Sequence, residues 1–528
     1  MSLQWELSRE IPIDTANIGQ KVLTEENIYR QIGDRFHEIL PEEEVFEELY
    51  ETTGRGAISP LLLALVTVFQ MMEKVPDRVA AAWVASRIDW KYAMHLPLGY
   101  AGFHFTDLLA FRKRLLEHNQ ERLVFEQVLL KLNGLGLIKK RGKMRTDASH
   151  ILGVVERLSQ FELVMESLRV ALKAVMEVAQ DWAKQVLPAA FCEVYSQQQS
   201  EYGLSESQMR TQLVQAGQDG FWFLTQIDKS APTLVGQLPE VEELRKVLQQ
   251  QFPEGPGGPP VKQRPTGKQV IESPHEPEVR YGTKRGNGWL GYKMQVTETC
   301  DNDQPHLIVD LEATGALDND SPELPKIQAR LETQQTLPGE QYVDQGYMSG
   351  YHLADSAELG ILLMGVPLND TQGPEGFRQT DFHIDEAAQQ VTCPAEHTNA
   401  LWSEKYDHDR QETRFVVRFA AKTCQQCHFF GHCTSSSQGR SLTLHPHRDV
   451  LAARRAEAQT KEFLQKLHLR AGIEATISEL VRGYGFRSAR YRGLSKLRLQ
   501  AYFTAVAVNF KRLERWWSQS QLTHEVAG

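Results

Sequence analysis

The segments WLGYKMQVTET (289–299) and HLIVDLE (306–312) are rich in apolar, aromatic and β-branched residues and flank a polar stretch at 300–305, which predicts a strand pair joined by a turn. Downstream, 322–335 has helical spacing, QYVD (341–344) reads as a short strand closed by Gly346, 351–359 as a helix and 361–366 as a strand. A hairpin followed by alternating helix and strand defines an α/β layer built on a mixed sheet. Upstream, KKRGKMRTDASHI (139–151) passes from basic residues into an alternating stretch, predicting another strand whose end carries Asp147. Asp344 closes the later strand in the same way.

Outside this layer the pattern is largely helical. Residues 24–136 contain Ser59-Pro60 as N-cap and first helical residue of a nearly all-apolar helix reaching Met72. A second helix starts at Pro76-Asp77, and Thr106 caps a third that carries Arg112, Lys113 and Arg114. Short helices with a basic member suit either a helix-turn-helix-like DNA reader or a plain bundle. Residues 152–251 are helical and rich in Gln and Glu. Prolines and glycines crowd 252–277, which predicts a linker or extended arm. Residues 378–440 are polar and rich in Cys and His, and 451–517 are helical and basic. No 20–50-residue period repeats.

The 528 residues suit two to four domains, and 41% hydrophobic with 24% charged residues excludes wholesale disorder. With a net charge of −10, contact with nucleic acid must come from local basic patches. The longest apolar run, at 61–69, is too short to span a membrane, and the start lacks the pattern of a secretory signal. Six cysteines in a chain of this length do not make a disulfide scaffold, so a cytoplasmic compartment is expected.

The motifs of P-loop NTPases, HExxH zinc proteases and GxSxG hydrolases are missing. What remains is a set of carboxylates: Asp147 and Asp344 at strand ends, and Glu474 on a late helix within RAGIEATISELVR (470–482). Hard oxygen ligands suit Mg²⁺, and a pair of ions can serve phosphoryl transfer. Glu479, five residues after Glu474, lies about 140° around a helix from it, so only one of them can face a given site. Asp310, inside an apolar strand, and Asp318 and Asp320, in a loop, read as turn or capping residues.

The segments RTDAS (145–149), YVDQGY (342–347), RAGIEATISELVRGYGFRSARYRG (470–493) and KLRLQAYFTAVAVNFKRL (496–513) resemble bacterial insertion-sequence transposases of the DDE class, in the branch with a Cys-rich insertion before the last catalytic helix. SPHEPEVRYGTKRGNGWLGYKMQVTETC (273–300) is similar to that family's lead-in to its second strand, and 26–136 to its helical N-terminal region. The resemblance implies an RNase H-like catalytic core, a mixed sheet flanked by helices, with Asp147, Asp344 and Glu474 as the three acids holding two Mg²⁺ (or Mn²⁺) ions. Arg470 stands four residues before Glu474, as in related families, while Leu467 takes the place of their tyrosine and the downstream basic residue is shifted to Arg482. The implied organisation is a helical DNA-binding region (1–136), first catalytic strand (137–151), helical insertion (152–251), Pro/Gly-rich linker or arm (252–285), continued core (286–370), Cys-rich insertion (371–450) and a C-terminal region with the catalytic helix and a basic tract (451–528).

Two further features carry expectations. Cys393, Cys424, Cys427 and Cys433 include a C-x₂-C and suit a tetrahedral structural Zn²⁺, with His397, His428 and His432 as substitutes and no local core expected. The stretch 479–515 carries nine Lys and Arg against Glu479 and Glu514, with Tyr484, Phe486 and Tyr491 interleaved. Such a tract predicts a DNA phosphate path with stacking surfaces, drawn from Arg487, Arg490, Arg492, Lys496 and Arg498. Lys284 and Arg285, and Arg112 and Lys113, are further candidate DNA contacts. The expected function is a DNA transposase that binds the terminal inverted repeats of its element, cleaves DNA and joins 3′ ends to target DNA, working as a homodimer near the nucleoid and away from membranes. A metal-dependent nuclease without strand transfer and a non-catalytic zinc-containing DNA-binding protein derived from a transposase are the alternatives.

Overall fold

A computed structural model describes residue 3 and residues 7–284, 286–370, 372–408 and 412–527. The predicted α/β layer is a six-stranded sheet built from β1 (Lys143–Leu152), β2 (Arg280–Lys284), β3 (Asn287–Thr299), β4 (Ile308–Gly315), β5 (Glu340–Val343) and β6 (Leu362–Met364). β1 lies in the middle. It pairs antiparallel with β3 on one side and parallel with β5 on the other, and β6 extends the parallel side. The far edge of β3 is shared by β2 and β4. Tyr292, Met294 and Val296 of β3 line one face of the sheet with Ile151 of β1, while Met144 is buried on the opposite face.

The helices before β1 share one core with this sheet. Pro60–Glu73, capped by the Ser59 hydroxyl as predicted, and Leu123–Gly134 pack against the long terminal helix Leu494–Ala527, which lies on β4. Asn509 ties that helix to the sheet, its side chain accepting from Ile308 N at 2.8 Å and donating to Ile308 O at 2.9 Å. Asp310 is fully buried between Arg122 and Arg330, with contacts of 2.9 and 2.7 Å. Burial raises its carboxyl, but the two guanidiniums outweigh burial and hold it below the usual range. Asp310 is therefore a structural acid. Thr106 starts the helix Thr106–Glu117 as its first residue and makes no cap, because its hydroxyl is engaged by His104.

The insertion between β1 and β2 folds around a core of its own. Gln160–Val178, Glu206–Ser230 and Pro239–Gln251 enclose Leu168, Leu172, Phe223 and Leu244. Residues 252–279 lack helix and strand, as their prolines dictate, yet they are not a free arm. Ile271, Glu272, Ser273 and Glu276 are buried, and Glu276 accepts from Tyr292 Oη and Gly493 N. The Cys-rich segment also departs from expectation. Hairpin β7 (His383–Asp385)/β8 (Gln390–Thr392) and the sheet β9 (Leu401–Asp407), β10 (Glu412–Arg418) and β11 (Ser441–Leu444) enclose buried Val391, Val417, Leu442 and Leu444. It has a small core after all. After Arg448–Glu457 and Lys461–Leu467, the chain forms the 3₁₀ turn His468–Gly472, the helix Ile473–Ser478 and a π turn, Glu479–Gly483; residues 484–493 are irregular. Among the described residues no helix is long and apolar enough to cross a membrane.

Candidate active site

The register of the sheet sets the first contact. β1 and β5 run parallel from Lys143↔Glu340 to Thr146↔Val343, where β5 ends. Asp147 and Asp344 are the next residues on the two strands, so their carboxylates emerge side by side where the parallel pairing stops; adjacent strands lie about 4.8 Å apart. Asp147 does not end its strand as expected, because β1 continues along β3 to Leu152 and Asp147 sits opposite Val296. This placement leaves its side chain 14% exposed, against 56% for Asp344. The Asp344 carboxylate accepts from Gln345 N at 2.8 Å and caps the 3₁₀ turn Gln345–Tyr347. Gly346 keeps an ordinary φ, so this turn rests on the aspartate cap and not on glycine.

The late helix closes the site. Ile473–Ser478 packs on β1, and Arg470 in the preceding turn donates from Nη1 to Asp147 Oδ2 at 3.1 Å and stands 4.0 Å from Asp344 Oδ1. Glu474 is exposed on the same side. The Asp147 carboxyl is pushed above the usual aspartate range, first by burial and then by the negative charges of Asp344 and Glu474, against the opposing Ala148 N–H and Arg470. Three carboxylates and one arginine thus act on one another where the parallel pairing of β1 and β5 stops. Among the described residues no three His, Cys, Asp or Glu side chains converge in metal-holding geometry. The donor chemistry nevertheless fits a divalent cation, since these are hard oxygen ligands whose mutual repulsion positive charge relieves, a service Arg470 performs in this structure.

The rival acid Glu479 is already engaged. Arg512 binds it at 2.7 and 3.0 Å, and Arg515 approaches at 3.5 Å. It belongs to a network centred on Glu298, a fully buried residue of β3 that receives Arg145 Nε at 2.6 Å, Arg512 Nη1 at 2.6 Å and the Thr476 hydroxyl at 2.5 Å. Arg145 also donates to Leu469 O at 3.0 Å. A Cβ at Gly472 would meet the Arg145 guanidinium, so a larger residue there would have to displace that side chain from Glu298 and Leu469 O. The sequence reading missed Glu298; the only signal was a glutamate on the inward face of an otherwise apolar strand.

The basic tract fares differently from expectation. Arg487 donates to His150 O at 2.8 Å, Arg490 to Val75 O at 2.7 Å, and Arg498 pairs with Glu312 at 2.5 Å. Phe486 is fully buried, Tyr484 donates to Ala507 O at 3.4 Å, and Tyr491 lies against Arg112, so these rings serve the core and offer no stacking surface. Arg112 is itself buried and paired with Asp77. Arg112, Arg487, Arg490 and Arg498 are thus each engaged with partners inside the protein. Lys113, Lys284, Arg492 and Lys496 are exposed, and Arg285 lies outside the described residues. Arg482 is exposed on the π turn and does not touch the acids.

The four cysteines of the insertion are free thiols lining one small hollow with Phe377, Phe419, Phe429 and Phe430. Burial raises the Cys433 thiol, and the sulfurs of Cys424, Cys393 and Cys427 add to that against Arg440.

Comparison with known proteins finds two family models that match parts of the chain. A family model described as "Transposase domain (DUF772)" matches residues 17–114, and one described as "Transposase DDE domain" matches residues 392–514, a span that includes Arg470 and Glu474. No curated protein and no solved structure matches the chain. The two family matches define a transposase. Together they indicate an insertion-sequence transposase of the DDE class, which at the general level implies a DNA-cleaving and DNA-joining enzyme.

Proposed function

We propose that this transposase binds the ends of its own insertion sequence, hydrolyses a phosphodiester bond there and joins the freed 3′ ends to target DNA. The observation that carries this reading is the register that sets Asp147 beside Asp344, with Glu474 acting on the same site. The strand order, with β3 antiparallel to a central β1 and β5 and β6 parallel to it, supports an RNase H-like core. Asp147, Asp344 and Glu474 would hold Mg²⁺ or Mn²⁺, which when bound activates water and stabilises the leaving oxygen. The chain itself supplies position and charge. Arg470 offers a guanidinium fork at the place where a phosphodiester must approach, and can exchange its aspartate partner for a phosphate oxygen. The Glu298 network fixes the height of the Glu474 helix over β1. Two element ends must be handled together, which calls for a homodimer at work.

Incubation of the purified protein with Mg²⁺ and a duplex carrying the element's ends tests the reading. The expected products are breaks at the ends and covalent joints to a second duplex. Breaks without joints would mark a nuclease, and binding without breaks a DNA-binding descendant; either outcome overturns the proposal.

We also propose that Cys393, Cys424, Cys427 and Cys433 hold one structural Zn²⁺ in the insertion between the second and third acids. That all four thiols line one aromatic-walled hollow supports this reading, and four thiolates would leave no open position for catalysis. Elemental analysis should find about one zinc per chain, and Cys424→Ser with Cys427→Ser should abolish it. Because the insertion has its own apolar core, that double variant should lose part of its stability and keep the rest of the fold. A wild-type zinc content near zero refutes the assignment.

A further inference from the structure

A groove of about 730 Å³ lies along the side of the Glu474 helix and is roofed by the terminal helix. Its basic lining comprises Arg145, Arg482, Arg512 and Arg515, with Glu479 the acid among its lining residues. Arg145 and Arg512 are matched internally: both are bound to the buried Glu298 behind the groove wall, and Arg512 also takes Glu479 with two nitrogens. Arg482 and Arg515 are left over. Among the described residues Arg482 makes no ion pair or hydrogen bond, and Arg515 meets only the already engaged Glu479, at 3.5 Å with its side chain 58% exposed. The π turn Glu479–Gly483 adds a residue to one helical turn and brings Arg482 onto the groove; such turns recur at functional sites.

The groove adjoins the acids. Arg145 and Asp147 are two residues apart on β1, so their side chains share one face of the sheet, about 7 Å apart along the strand. Gly472, between Arg470 and Glu474, lines the groove as well. An elongated polyanion lying across Asp147, Asp344 and Glu474 would therefore run its next phosphates into it. In a chain of net charge −10, two uncompensated guanidiniums over a fixed, ion-paired floor form a local exception suited to that charge.

We propose that this groove receives the DNA backbone beside the scissile bond, with Arg482 and Arg515 as its phosphate ligands, an inference that rests on the transposase reading above. The assigned ligand is the phosphodiester backbone, so binding in the groove should be indifferent to base sequence.

The test is a salt titration of duplex binding by the full chain, comparing wild type, Arg482→Gln/Arg515→Gln, and the charge-matched control Lys173→Gln/Lys184→Gln on the helical insertion. The groove variant should flatten the slope of log affinity against log salt by about 1.8, since each duplex phosphate that the protein no longer neutralises removes about 0.9, and should do so for specific and unrelated duplexes alike. The control should follow wild type, and all three should melt together because the replaced side chains are exposed. An unchanged slope in a folded groove variant overturns the inference. So does unchanged DNA binding with impaired self-association, which would give the groove to a second copy of the chain. Cleavage by wild type reports separately on the transposase reading: an active enzyme with an unaltered salt slope refutes the groove alone, whereas a flattened slope in a protein that cannot cut refutes the enzyme alone.

Discussion

Asp147→Asn, Asp344→Asn and Glu474→Gln should each lower cleavage of element-end DNA on the order of a thousandfold or more, because the three act as a unit and removal of one disables the rest. Gel-shift measurements should find duplex binding intact, since none of the three side chains carries positive charge. For Asp147 the effect on stability should be the reverse of the usual one. Burial and the neighbouring carboxylates hold the Asp147 pKa above its ordinary value, so its charged form is the costly one in the folded state. The cost sets in as pH rises from the ordinary aspartate range through the raised folded value, and it is fully present at neutral pH. Asp147→Asn should therefore melt at or above the wild-type temperature at pH 7, and that margin should shrink as pH falls to 4. Glu479→Gln should instead lower the melting temperature, through loss of charge opposite Arg512, and retain cleavage. If Glu479→Gln is dead while Glu474→Gln cuts normally, the third acid has been misassigned.

The separation between Asp147, Asp344 and Glu474 on one hand and Glu479 on the other was partly legible in the sequence. The i to i+4 spacing of Arg470 and Glu474 and the 140° offset of Glu479 follow from helical geometry, and the structure keeps both distinctions. The adjacency of the two aspartates was not legible. It depends on Thr146 pairing with Val343 across 197 positions of chain, and local patterning contains no information about parallel register.

The basic tract shows the opposite failure. Counting charges located an excess of arginine but could not say which side chains fold inward. Arg487, Arg490, Arg498 and Arg512 find partners at His150, Val75, Glu312 and Glu298, all more than 180 residues away. Long guanidinium stems reach buried carbonyls and carboxylates readily, so an arginine-rich segment that packs against a sheet engages many of its own guanidiniums internally. The members of the tract that stay exposed are Arg482, Arg492, Lys496 and Arg515. The Cys-rich insertion was misread for a related reason: Val391, Val417, Leu442 and Leu444 are scattered among polar residues, and only the pairing of β9, β10 and β11 gathers them into a core.

Glu298→Ala should be the most destabilising single substitution around the site. The wild-type carboxylate is fully buried and receives two guanidiniums and a hydroxyl. Truncation leaves Arg145 nearly buried without a carboxylate partner and Arg512 with Glu479 alone, and breaking a buried ion pair from one side costs about 3–5 kcal/mol. Thermal unfolding should show a drop of several degrees or more, larger than any change from the exposed Arg492→Gln. The loss should also reach catalysis without touching a reacting group. Arg145 holds Leu469 O, Thr476 anchors the helix that carries Glu474, and Arg512 ties that helix to the terminal helix, so their common partner sets where Arg470 and Glu474 stand over Asp147. Glu298→Gln keeps the volume and some of the hydrogen bonds and should recover part of both stability and cleavage. That graded pattern distinguishes a positioning residue from a metal ligand, for which the amide would be as inactive as alanine while the fold stayed intact. Should Glu298→Ala melt with wild type, the Arg145–Glu298–Arg512 network is not what fixes the helix, and the register of β1 with β3 must do so alone.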